Sequence, residues 1–181
     1  MNITRRGFTT ATALAALSVA VPVRAQTPAT VETLKIINGF APGGTADAIS
    51  RKVAERLQSG YARASVVENR TGAGGQIAVQ AVKAAAPDGL TLLLTPMSQL
   101  GVYPHIYKKL PYDPVADLQP VSMGCLFDFA LGVGPSVPAS VNTVQSFLAW
   151  CTTNPSQASF GSPAAGSVPH FLGELLARRG K

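Results

Sequence analysis

The sequence predicts an α/β fold, a parallel sheet with helices on its faces, and three observations carry it. A short apolar run, Leu34 to Ile37, leads into a turn with Pro42, Gly43 and Gly44 and then a helical pattern from Thr45 to Ser59. A second run, Ser65 to Asn69, leads into Gly72, Gly74 and Gly75 and a second helical pattern from Gln76 to about Ala86. A third apolar run, Leu90 to Thr95, follows the turn Pro87-Asp88-Gly89. Two strand–turn–helix units followed by a strand point to parallel pairing, because parallel strands need a crossover between them.

Composition agrees with a globular chain. Of the 181 residues 46% are hydrophobic and 13% charged, too apolar for a disordered segment. The first 25 residues read as an export signal. Thr4-Arg5-Arg6-Gly7-Phe8 matches the core of a twin-arginine motif, Ala11 to Val23 is apolar but short for a bilayer span, and Val23-Arg24-Ala25 fits cleavage after Ala25. An ordinary secretory signal is the alternative, and either route leads out of the cytoplasm, so a soluble periplasmic protein is expected. Without Arg5, Arg6 and Arg24 the formal charge falls from +6 to +3, that is 12 basic against 9 acidic residues. No Lys/Arg cluster or basic–aromatic stripe appears, which argues against nucleic acid as a partner.

Taken in order, the first strand is expected over Val31 to Asn38, with the first helix after it showing Ala46, Ile49, Val53 and Leu57 on one face. Thr45 is its expected N-cap and Gly60 its end. Asp47 lies in the first turn, where a carboxylate complements the helix dipole, and Arg51 four residues on can pair with it. That pairing is preferred to direct ligand contact. The spacing of Gly72 and Gly74 after a strand suggests a dinucleotide fingerprint, but Ile77 stands at the third glycine position and no acidic residue follows at the ribose distance, so that reading fails. Thr95 and Ser98 fall at the carboxyl edge of the sheet, where ligands of such folds sit; helix capping is the other reading of their hydroxyls.

Farther on, Leu100 to Tyr107 is read as a short helix, Lys108 to Gln119 as a loop, and Val121–Gly124, Ala130–Gly134 and Ser159–Phe160 as short strands. A helix opens at Asn142 or Thr143 and ends near Thr153, and a last helix runs from Val168 to Arg179 with Ser167 as cap and Phe171, Leu172, Leu175 and Leu176 as core face. Gly161 to Ser167 repeats the chemistry of the first turn: a small-residue loop before a helix, whose first N–H groups have no internal partner and suit an anion. His170 lies in the first turn of that helix, where packing is the alternative to ligand contact. Cys125 and Cys151 are expected to be unlinked, since Cys151 shares an apolar helix face with Val144, Phe147 and Leu148; a disulfide, which an oxidising compartment permits, is the minority alternative. Two cysteines and two distant histidines make no zinc pattern, and no cofactor is indicated. The nucleophile elbow G-x-S-x-G is absent, which argues against a secreted hydrolase.

Four ordered segments carry a resemblance: Phe40-Ala41-Pro42-Gly43-Gly44-Thr45-Ala46-Asp47, Val67 to Gly75, Ala86 to Leu92, and Leu110-Pro111-Tyr112-Asp113-Pro114. Together they resemble the Bug/TctC family of extracytoplasmic substrate-binding proteins of tripartite tricarboxylate transporters, from about Val31 onward. The resemblance implies a two-lobed α/β fold, periplasmic-binding-protein type II-like, with residues 26–131 as first lobe and 132–181 as the start of a second, incomplete lobe. It implies a monomer that captures a small carboxylate, a di- or tricarboxylate or related organic anion, for membrane permease subunits. The ligand would be held by backbone N–H groups and ordered waters from Phe40 to Thr45, including Gly43 and Gly44, and from Gly161 to Ser167, including Ser162 and Gly166. Phe40 would pack on its carbon chain and Asp47 would brace the first turn. Proteins of this kind are longer, so the chain is read as a truncated copy, and a non-binding remnant is the alternative.

Overall fold

The computed structural model describes residues 30–180. The expected export signal lies outside the described residues. Three parallel strands form one sheet in the order β2-β1-β3: β1 is Val31–Asn38, β2 Ala62–Asn69 and β3 Thr91–Leu94. β1 has the bounds expected from sequence. Being central, it is covered on both faces, and Leu34, Ile36 and Ile37 are fully buried, each contributing about 1.5–3 kcal/mol. β2 begins three residues earlier than expected. Its register with β1 pairs Val31 with Ala62, and an ion pair of 2.9 Å between Arg63 and Glu32 lies beside it.

Helix α1, Thr45–Gln58, packs on β2 and β1; helix α2, Gln76–Lys83, packs on β3 and β1. They lie on opposite faces. Leu34 and Ile36 form a cluster with Ala54 of α1 and Ala62, joined by Val53, Leu57 and Leu92. Gly39, pointing the other way along the alternating strand, lies against Ala78 of α2. The expected face of α1 is turned by one position: Asp47, Ser50 and Ala54 are its buried residues, while Ala46, Ile49, Val53 and Leu57 are half-buried. Ser50 tolerates burial because its hydroxyl donates to the Ala46 carbonyl at 2.8 Å.

α2 is shorter than expected because Pro87 holds Ala86 out of the helical region. After β3 the chain makes one wide turn, Ser98–Val102, before helix α3, Tyr103–Ile106. Pro104 has no N–H to give Leu100, so the regular ladder cannot pass through, and the Tyr103 N–H reaches back to the Ser98 carbonyl instead. Helix α4, Val144–Thr153, starts with a capping box between Thr143 and Ser146, and helix α5, Val168–Arg179, follows the second small-residue loop.

Four expectations are corrected. The strands expected at Val121–Gly124, Ala130–Gly134 and Ser159–Phe160 do not form among the described residues: a strand needs a hydrogen-bonding neighbour, and these segments meet none. The expected core face of α5 is not buried; Phe171, Leu172 and Leu175 are exposed. Thr45 is the first residue of α1 rather than its cap, which is Gly44 with no side-chain bond. Ser167 stands at the cap position of α5 but donates to the Ala164 carbonyl at 2.6 Å instead of capping. Both cysteines are free, Cys125 exposed and Cys151 half-buried, as expected. Among the described residues no helix is long and apolar enough to cross a membrane, and no cluster of His, Cys, Asp and Glu could hold a metal.

Candidate functional site

The turn between β1 and α1 is clamped from below. Asn38, fully buried at the end of β1, accepts the Phe40 N–H at 2.9 Å. Asn69, its register partner on β2, donates to the Phe40 carbonyl at 3.0 Å and to Asp47 at 2.9 Å. The Asp47 carboxylate also accepts the Gly43 N–H at 3.0 Å and a two-pronged pair from Arg51 at 2.9 and 3.0 Å. Each carboxylate oxygen therefore carries two bonds, one of them from Arg51. The hydrogen bonds from Arg51, then Gly43, then Asn69 hold this carboxyl well below the usual carboxylate range. Asp47 is spent on the protein, so it braces the turn, and the Gly43 N–H is spent with it. The N–H groups of Thr45, Ala46 and Asp47, at the first three positions of α1, have no intrahelical acceptor, the first such bond being Ala48 N–H to Gly44. Above them the turn is open: a Cβ on Gly43 would meet nothing within 4 Å, and one on Gly44 only the Ala41 carbonyl at 3.4 Å.

The second glycine turn is the hub. Gly72, Ala73, Gly74 and Gly75 all have positive φ, a run of left-handed backbone that glycine makes cheap. Its Gly74 carbonyl accepts from both Gln99 and the Tyr103 hydroxyl, the latter at 3.1 Å. Tyr112 donates at 2.7 Å to the carbonyl of Gln99, and burial pushes its phenol up to about 12, keeping it a donor. On one side Gly39 approaches so closely that an added Cβ would lie 2.6 Å from the Gly75 Cα. On the other, a Cβ at Gly74 would lie 3.3 Å from the Ala164 Cβ of the second loop. The two turns expected to bind ligand are thus joined through Gly72–Gly75, the segment whose spacing suggests a dinucleotide fingerprint and fails it.

The second loop docks on the segment after β3. Ser98 is buried, and its hydroxyl accepts the Val168 N–H at 3.2 Å, so it caps α5 across seventy residues. Gly166 sits against Ile106, and the Tyr107 hydroxyl donates to Ala165 at 3.4 Å. His170 accepts the Gly166 N–H on Nδ1 at 3.2 Å, between the rings of Phe160 and Phe171. Gly161 is exposed, the Ser162 hydroxyl turns back to Ala164 at 3.3 Å, and Thr95 is half-buried. Of the residues expected at the site, Phe40, Gly43 and Asp47 are brought together by the first clamp, with Gly44 and Thr45 exposed beside them; Ser98, Gly166, Ser167 and His170 meet at the start of α5. Sequence reasoning missed Asn38, Gln99 and Tyr103. The one available signal was the density of glycine at 72–75, which calls for side chains to fill the space beside it.

A family model described as tripartite tricarboxylate transporter family receptor matches residues 49–180. Protein BugT of Bordetella pertussis is 35% identical over 181 residues, 99% of this chain and 54% of that protein. A solved structure described as a periplasmic transporter is 36% identical with a TM-score of 0.69, covering 82% of this chain and 49% of its own. The R. palustris protein solved with adipate is 26% identical with a TM-score of 0.63, covering 75% and 45%. The chain thus spans about half the length of the relatives it matches.

Proposed function

The chain belongs to the tripartite tricarboxylate transporter receptor family, and from that premise we propose that it contributes the binding turns of a periplasmic receptor for a small carboxylate. One solved relative is described as a periplasmic transporter, and another was solved with adipate, a dicarboxylate. In this reading residues 1–25 direct export, by the twin-arginine route, 26–131 form the first lobe and 132–181 begin the second. The protein hands its ligand to membrane permease subunits and catalyses nothing.

The observation that carries the reading is the division of labour in the first turn. Asp47 takes the Arg51 charge and fixes the turn, which leaves an open surface of uncharged N–H donors at the start of α1. Such donors, with the helix dipole behind them, suit carboxylate oxygens, which need several partners once desolvated. Phe40, half-buried beside them, offers apolar contact to a short carbon chain. Gly161, Ser162, Gly166, Ser167 and His170 supply the opposing wall, with Thr95 and Ser98 at the sheet edge beneath.

Thermal shift in the presence of di- and tricarboxylates, sugars and cationic amines tests this. A ligand at ~100 times its dissociation constant adds roughly 2.7 kcal/mol. Carboxylates should stabilise the protein and the other two classes should not. Gly44→Val should remove the shift while leaving the unliganded protein nearly as stable, because a Cβ there fits the turn but projects where the ligand approaches. A shift with sugars alone would refute the ligand class.

A further inference from the structure

Most of the contacts that carry the second loop have no fixed direction. Gly74 lies against Ala164, Ile106 lies beside Gly166, and the Tyr107 hydroxyl reaches the Ala165 carbonyl only at 3.4 Å. The hydrogen bond from the Val168 N–H to the Ser98 hydroxyl, at 3.2 Å, is different, because it has a direction. It also replaces a missing local cap. Ser167 stands at the cap position but turns its own hydroxyl to the Ala164 carbonyl, so without Ser98 the Val168 N–H would have no acceptor at the mouth of the loop.

Ser98 is itself held firmly. It is 5% exposed, its carbonyl takes the Tyr103 N–H, and its neighbour Gln99 donates to the Gly74 carbonyl. It lies four residues beyond Leu94, the end of β3, and Leu94 is the register partner of Asn38. Asn38 ends β1 and holds the Phe40 N–H of the first turn. Both turns therefore hang from one pair of neighbouring strand ends, and the second is fastened there at Ser98. On the carboxylate reading above, we propose that Ser98 is a positioning residue for the ligand. Its hydroxyl does not touch the ligand; it orients the start of α5 and the loop Gly161–Ser167 toward the first turn. Hydrogen bonds weaken steeply when misaligned, so donors on two loops hold one anion only as well as the loops are aligned. Packing against Ile106 and Tyr103 keeps the loop near, and the bond to Ser98 sets how it is turned.

Titration calorimetry with succinate, adipate and citrate, at a temperature where each variant is folded by circular dichroism, tests this. Ser98→Ala should weaken the best of the three ligands at least about fivefold. Val168→Pro removes the same bond from the donor side. It suits the position, because proline is favoured at the first residue of a helix and Ser167 before it is extended, with φ −76° and ψ 164°. It should weaken binding by a similar factor, and the double variant should be no weaker than either single one, since both changes remove one bond. In the unliganded protein Ser98→Ala should speed hydrogen exchange at the Val168 amide. A role confined to stability would lower the melting temperatures and leave the affinity of the folded variants unchanged, which would overturn the proposal. So would a Val168 amide that exchanges equally fast with and without the hydroxyl, or a double variant whose losses add. Tighter binding by Ser98→Ala would overturn it too, since the hydroxyl would then be competing with the ligand for Val168. A parent that binds none of the three carboxylates would refute the carboxylate reading itself, and the proposal with it.

Discussion

Helices α1 and α4 make an instructive pair. α4 has the stronger local start, a reciprocal capping box in which Thr143 and Ser146 satisfy each other's backbone N–H groups. α1 has no side-chain cap at all. Yet α1 buries Asp47, Ser50 and Ala54 against a sheet, while α4 has no buried residue, and neither has α5. Capping and periodicity decide whether a segment is helical; they do not decide whether it is packed. Packing came to α1 because β1 and β2 present a finished apolar surface. The region after Tyr112 has two helices and a strand-like segment, and no sheet to receive them.

The largest test of this contrast removes apolar volume from each region. Ile36→Ala should cost about 2–5 kcal/mol in urea unfolding, because the site is closed on all sides. Leu175→Ala in α5, at a side chain 56% exposed, should stay within about 0.5 kcal/mol. Equal losses would erase the distinction between the regions.

A second test turns on the clamp. Asn69→Ala removes two donors at once and should cost about 1–3 kcal/mol, with the loss concentrated at the first turn. The clamp also predicts an acid limb. Asp47 has a lower pKa folded than unfolded, so its contribution is complete above the unfolded value of about 3.9 and fades as pH falls toward the folded one. Melting temperature followed from pH 5 to 2 should fall in the parent and fall less steeply in Asp47→Asn. Parallel curves would mean that the clamp stabilises nothing.

The smallest effect sharpens the comparison. Thr143→Ala should remove about 1 kcal/mol of cap energy from α4. It should lower helical signal without shifting the unfolding midpoint of the sheet region, because α4 has no buried residue through which to couple. A midpoint shift equal to that of Asn69→Ala would show that α4 is coupled to the sheet.

The sequence by itself determined what depends on near neighbours. It set the bounds of β1, the start of α1, the glycine turn between them and the Asp47–Arg51 pair, because strand period, turn chemistry and a four-residue helical offset are all local. It also placed both ligand-binding candidates at helix entries. Only the tertiary structure decided how those entries are held. Asp47 finds Asn69 twenty-two residues on, Ser98 caps a helix seventy residues on, and Gln99 and Tyr103 converge on the Gly74 carbonyl. The same limit explains the strands that were expected at 121–124 and 130–134 and did not form. Alternation states that a segment can pair; whether it does depends on a neighbouring edge, and that is a property of the assembled surface, not of the segment.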